Sequence, residues 1–265
     1  MRSFATFITL LLPLVSAHGR ITNITTSSGA VYQGWDPEMA KGTTPAPALA
    51  AWSASNLGNI FVSPAQFNTA NITCHINAKP GSLHINTTAG DMLRLRWNEW
   101  PVSHKGPVLT YLASCNTTCA GVDKEKLRWV KIDQQGWLNS SGWEQLGGTW
   151  ATDVLIANHF TWTVKVPSDL ADGAYVLRHE IIALHVANET DGAQAYPQCV
   201  NLKVGKAAAQ IDGGVQGEKL YGEKDKGILV DIHHKISGYD IPGPGMWSGA
   251  TTIKQPNEKR NIKRG

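Results

Sequence analysis

Short runs in which apolar and polar residues alternate with a period of two recur along this chain, and they restrict its fold more than any other feature. Successive side chains of a β-strand point to opposite faces, so alternation marks strands with one face in a core. Leu93, Leu95 and Trp97 alternate with Met92, Arg94 and Arg96; Phe160, Trp162, Val164 and Val166 alternate with Thr161, Thr163 and Lys165. Further strands are expected over 20–26, 108–113, 128–132, 173–186, 200–204 and 227–232, with Lys79-Pro80-Gly81, Ala89-Gly90-Asp91 and Ala171-Asp172-Gly173 as turns between them. No strand-helix-strand rhythm appears, which argues against a parallel α/β sheet and for an all-β antiparallel sandwich with long loops and little helix. The best helix candidate is 47–56, where Pro47 suits a first turn and Ala48, Leu49, Ala50, Ala51 and Trp52 follow.

Composition agrees with one large domain. In 265 residues only 17% are charged, while 10 Trp and 26 Gly supply core and turns. A net charge of +3 is too weak a field to argue for a nucleic-acid partner. No internal repeat or Ser/Thr/Pro-rich linker divides the chain. From Ser248 to Gly265 the apolar periodicity is lost and Lys254, Lys259, Arg260, Lys263 and Arg264 accumulate, so 248–265 is expected to be a solvated basic tail.

The first segment reads as a leader. Met1–Ala17 carries one basic residue, Arg2, then an apolar stretch from Phe4 to Val15 and small residues at Ser16-Ala17. That is a secretory signal peptide whose apolar core is too short to span a bilayer, and no later run approaches membrane length. A secreted, extracellular product beginning at His18 is expected, with a working domain over 18–247. Six N-x-S/T sequons, at Asn23, Asn71, Asn86, Asn116, Asn139 and Asn188, agree with the secretory route. Four cysteines allow three pairings. Cys115 and Cys119 could close a tight local loop, leaving Cys74 for Cys199; a zinc site at the close pair lacks a second Cys/His pair at finger spacing.

Cleavage before His18 would be chemically distinctive, because the free α-amine and the ring Nδ1 of a terminal histidine can chelate one metal ion. A third nitrogen from another histidine completes a T-shaped set suited to tetragonal Cu(II). His104 is the candidate, in the Gly/Pro-punctuated loop Trp100-Pro-Val-Ser-His104-Lys-Gly-Pro107 just before an expected strand. His179 and His185, six apart in one expected strand, should share a face. Downstream, Gln194-Ala-Tyr196-Pro-Gln-Cys199 places an amide, a phenol and a cysteine within six residues, and a tyrosine beside copper can occupy a weak axial position.

Together these segments carry a resemblance that none carries alone. His18-Gly19, Ser103-His104-Lys-Gly-Pro-Val108 with Tyr111-Leu112 and Cys115 after it, Leu177-Arg-His-Glu-Ile-Ile-Ala-Leu-His185, Gln194-Ala-Tyr196-Pro-Gln-Cys199, and Gly227-Ile-Leu-Val230 with Tyr239-Asp-Ile-Pro-Gly-Pro244 after it resemble the fungal cellulose-active lytic polysaccharide monooxygenases of auxiliary-activity family nine. The resemblance runs from His18 to about Trp247. It implies an immunoglobulin-like β-sandwich with a flat face around one copper ion. It implies that His18, through amine and ring, and His104 hold that copper, that Tyr196 is axial, and that His185 and Gln194 hydrogen-bond oxygen species. Disulfides Cys74–Cys199 and Cys115–Cys119 are implied by it, as is stacking of sugar rings on Tyr239 and, less directly, on Trp35 and Tyr32. Most other Trp, including Trp97 and Trp162, are expected in the core. The implied partners are cellulose or a related β-glucan and an external electron donor, a small reductant or cellobiose dehydrogenase, with the protein a monomer. The implied reaction is hydroxylation at C1 or C4 of a glucosyl unit using O2 or H2O2. Two other readings compete: a copper- or glycan-binding sandwich without oxidative activity, which loss of His185, Gln194 or Tyr196 would favour, and a glycoside hydrolase, for which no pair of carboxylates stands out.

Overall fold

The computed structural model describes residues 19–38, 41, 47–205 and 210–256; the leader, His18 and 257–265 lie outside the described residues. In chain order the strands and α-helices are β1 (Ile21–Thr25), β2 (Val31–Gln33), α1 (Asn71–Cys74), β3 (Ile85–Thr88), β4 (Met92–Trp97), β5 (Val108–Ser114), β6 (Val130–Gln135), β7 (Trp137–Asn139), β8 (Thr149–Trp150), α2 (Ala151–Ala157), β9 (Thr161–Lys165), β10 (Gly173–Ala183), β11 (Gln194–Ala195) and β12 (Gln198–Gly205). One sheet runs β2-β1-β4-β9 and a second runs β3-β12-β10-β5-β6. All these pairs are antiparallel except β12 with β3. The expected β-sandwich is the observed architecture.

The sandwich interior explains the alternation. Leu93, Leu95 and Trp97 of β4 and Trp162 and Val164 of β9 face Val108, Leu112, Leu177, Ile181, Val200 and Leu202 of the other sheet, in one cluster of fully buried side chains. Each such aliphatic side chain contributes roughly 1.5–3 kcal/mol on burial. The larger sheet is also covered on its outer face: Leu109, Tyr111, Val176 and Ile182 pack under Ile72 of α1 and under Trp52, Phe67, Trp129, Tyr221 and Ile228 from the loops. Burial on both faces is why β5 reads as a mostly apolar run rather than an alternating one, and why β10 is buried along its length from Ala174. Where β10 puts charges on the covered face, they pair: Arg178 and Glu180, both fully buried, form a bidentate ion pair, and Arg178 also donates to the carbonyls of Ile72 and Thr73.

Three local expectations are corrected. The 47–56 stretch is extended, not helical: Ala51 bridges Val200, Ser53 bridges Lys79, and the Trp52 indole donates to Asn201 at 2.6 Å. Residues 227–232 form turns rather than a strand, because Ile228 and Ile232 serve as lids on the outer face of the larger sheet. The strand expected over 173–186 stops at Ala183, where Leu184 N donates to Lys105 O and the chain turns, so His185 lies beyond it. At the other terminus, Gln255 is buried and its amide brackets Thr163 of the edge strand β9, accepting from the backbone N–H and donating to the carbonyl at 2.9 Å each. Packing therefore continues past the boundary expected at 247, and this amide satisfies the backbone of one residue on an otherwise open sheet edge.

Both cystine bridges form, Cys74–Cys199 and Cys115–Cys119, and no described cysteine is free, which removes the zinc reading. No helix among the described residues is long and apolar enough to cross a membrane. Val108 at the start of β5 is paired with Ile181 near the end of β10 and with Gln135 at the end of β6, while Gln198 at the start of β12 lies opposite His179. The loops 101–107, 184–197 and 136–148 therefore gather at one end of the sandwich.

Candidate metal centre

Two histidines from different loops meet at that end. His104 comes after a turn closed by its own N–H to Pro101 O, and the Trp100 indole donates to His104 O at 2.8 Å. The loop then runs against the end of β10, Ile182 N donating to Pro107 O; a Cβ on Gly106 would stand 1.9 Å from Ile182 O, so only glycine permits this approach. Lys105, buried, pairs with Asp153, whose other oxygen accepts from Trp150 N at the start of α2. On the facing loop, His185 stacks on His104 with ring centroids 3.8 Å apart and planes 30° from parallel.

Tyr196 completes the cluster. β11 returns along the end of β10, with Ala183 opposite Gln194 and Tyr196 N donating to Ile181 O. The Tyr196 hydroxyl donates to Gln194 Oε1 at 2.8 Å, and burial raises its pKa far above the usual phenol value. The residue is therefore a neutral phenol with its proton committed to the amide. Trp100 stands edge-on to both Tyr196, at 5.1 Å, and His104, at 6.0 Å, and Phe61 closes on Tyr196 at 6.2 Å.

His18 lies outside the described residues, but Gly19 does not. A Cβ at Gly19 would stand 2.3 Å from Glu99 O and within 3.3 Å of Trp97 and Trp100, so the amino-terminal segment passes the indole that abuts His104. Among the described residues no group of three or more His, Cys, Asp or Glu is placed to hold a metal. The chemistry of the donors that are present nonetheless suits copper. Ser103 Oγ sits 3.1 Å from His104 Nδ1, so a metal held by this ring would be met at Nε2, and a neutral phenol beside it would be a weak neighbour rather than a strong anionic ligand.

The remaining candidates are distributed unevenly. His179 is separate from the cluster: fully buried, with Nδ1 2.9 Å from Thr110 Oγ1 and its pKa lowered by burial to about 3, it is a neutral core residue. Trp97 and Trp162 are core as expected. Trp35 is half-buried and donates to Ala54 O; Tyr32 packs on the interior from β2. Tyr239 stands edge-on to Trp150 at 4.8 Å above Gly136, at the same end as His104, with its hydroxyl donating to Gly227 O. Sequence reading misses the packing of Trp100 against His104 and Tyr196, and the exposure of Val102 and Val186 near His104 and His185. Their adjacency to the two histidines is the available signal.

A family profile described as Auxiliary Activity family 9 (formerly GH61) matches residues 18–239. The chain belongs to that family. Family 9 comprises copper-dependent lytic polysaccharide monooxygenases, extracellular enzymes that cleave polysaccharide oxidatively with electrons from an external reductant. This chain is 45% identical over 246 residues to lytic polysaccharide monooxygenase I of Botryotinia fuckeliana, covering 92% of this chain and 90% of that one. It is 43% identical over 254 residues to lytic polysaccharide monooxygenase F of Emericella nidulans, covering 94% and 99%. Among solved structures it matches the extended catalytic domain of LPMO9A from H. jecorina with a TM-score of 0.84 and 42% identity, over 91% of this chain and 96% of that one. Family membership makes this chain a monooxygenase and sets aside the hydrolase reading.

Proposed function

We propose that the chain is a secreted cellulose monooxygenase, released by cleavage after Ala17 and working as a monomer with one copper held by the His18 amine and ring and by His104. The observation that carries this reading is the stacked His104–His185 pair with Tyr196 and Gln194 at the end of the sandwich where the amino-terminal segment arrives. That the family profile begins at residue 18 supports the cleavage point.

Copper supplies the one-electron chemistry and the activation of O2 or H2O2, which hydrolytic side chains cannot provide. The chain's own residues do the rest. Ser103 fixes the His104 ring through Nδ1. Burial keeps Tyr196 protonated, and the hydrogen bond that its hydroxyl donates to Gln194 Oε1 orients that amide, whose nitrogen would be the group to hydrogen-bond an oxygen species. His185, half-exposed beside His104, is positioned to hold or pass a proton there. Tyr239, at the same end of the sandwich as His104, is the aromatic that would stack on a glucosyl ring there; Trp35 and Tyr32 pack against the core and would contribute only from its margin. Sequons Asn86, Asn116, Asn139 and Asn188 are exposed and Asn23 and Asn71 half-exposed, all open to glycosylation.

Incubation with cellulose, oxygen and ascorbate tests the reading: mass spectrometry should find oligosaccharides oxidised at C1, C4 or both, and a panel with hemicelluloses fixes the substrate range. Cellobiose dehydrogenase should replace ascorbate as donor. Unoxidised oligosaccharides alone would overturn the reading.

A further inference from the structure

The ladder between β1 and β4 stops at the edge of the candidate metal centre, and side-chain amides take over from it. A bulge shifts the register between Ile21 and Asn23, and Ile21 opposite Trp97 is the last residue in the strand register. Both backbone groups of Arg20 are then satisfied by one residue: its N–H donates to Asn98 Oδ1 at 2.7 Å and its carbonyl accepts from Asn98 N at 3.0 Å. The next amide, Ile21 N, reaches across the sandwich to Gln198 Oε1 at 2.7 Å. Gln198 opens β12 two residues after Tyr196, so one side chain ties the amino-terminal segment of one sheet to the strand that follows the phenol in the other.

We propose that Asn98 and Gln198 are positioning residues for the amino-terminal metal ligand, setting where His18 stands relative to His104 and Tyr196. The inference rests on the reading that His18 and His104 hold copper. A terminal histidine has no preceding residue, so its covalent anchoring comes entirely from the residues on its carboxyl side. The first of these, Gly19, is wedged against Glu99 O and the indoles of Trp97 and Trp100. The next two are Arg20 and Ile21, whose backbone these amides hold. An outer residue that orients a ligand in this way is worth about 10- to 100-fold in metal affinity.

The test is titration of copper into the metal-free protein beginning at His18, with Cu(II) electron paramagnetic resonance of the loaded forms and thermal melts of the metal-free forms. The variants are Asn98→Ala, Gln198→Met, Gln198→Glu, which keeps the acceptor, and Gln255→Ala, a structural clamp on β9 far from the amino-terminal segment. Asn98→Ala and Gln198→Met should weaken copper binding at least tenfold and shift the copper hyperfine splitting, with Gln198→Glu restoring both. Gln255→Ala should lower the melting temperature and leave affinity and spectrum unchanged. If the parent protein binds copper tightly and Asn98→Ala and Gln198→Met bind it equally well with the same spectrum, the positioning role is wrong and the ligand assignment stands. If the parent itself binds no copper, the reading beneath it fails.

Discussion

The imidazole of His185 lies over that of His104 at a centroid distance of 3.8 Å, although the two residues come from different loops, brought together by the pairing of β5 with β10 and by Leu184 N donating to Lys105 O. One ring is fixed from behind by Ser103 and the other is half-exposed, so their roles should separate under mutation. His104→Ala should abolish tight copper binding, whereas His185→Ala should retain it within a few-fold and lower oxidative turnover. Calorimetric titration of both variants checks this; tight binding by the His104 variant would remove its assignment.

Tyr196→Phe keeps the ring against Trp100 and Phe61 and removes only the hydroxyl bonded to Gln194. Loss of one buried hydrogen bond costs about 1 kcal/mol. Copper should still bind, with an altered Cu(II) resonance spectrum; an unchanged spectrum would place the phenol outside the metal's surroundings.

Much of this is legible in the sequence because β4 and β9 bury one face each and so alternate, while the site residues cluster in short segments. The parts that are not legible depend on distant partners. The Ala-rich 47–56 run has helical composition, yet Ala51 and Trp52 gain more by joining Val200 and Asn201. Asn98 and Gln198 give no periodic signal at all, since the backbone groups that they hold lie 78 and 177 residues away. The sequence puts His185 on the expected strand because nothing local reveals the turn after Ala183.

Asp133 makes stability depend on pH. It lies in the sandwich interior, accepting from the Trp162 indole at 2.8 Å, and burial raises its pKa to about 6. A carboxyl held above its unfolded value stabilises the fold fully below that unfolded value, and the contribution is lost as pH rises through about 6. His179, which lies across Thr110 from it in the sheet register, stays neutral throughout. Asp133→Asn should therefore match the parent near pH 4 and exceed it by about 2 kcal/mol at pH 7. Melts from pH 4 to 7 check this; parallel curves would contradict it.

The Cys74–Cys199 bridge closes a loop spanning 125 residues, and it joins α1 to the strand that comes after Tyr196. Replacing both cysteines by serine should cost about 4–5 kcal/mol. Denaturant titration measures it, and the short Cys115–Cys119 loop should matter less.

The central claim is that the working end of the molecule is created by exposing His18. Copper titration compares the chain beginning at His18 with the same chain carrying one extra residue before it. Tight one-to-one binding is expected for the first and a loss of at least a hundredfold for the second, whose terminal amine no longer belongs to the histidine. Equal affinity in the two would contradict it.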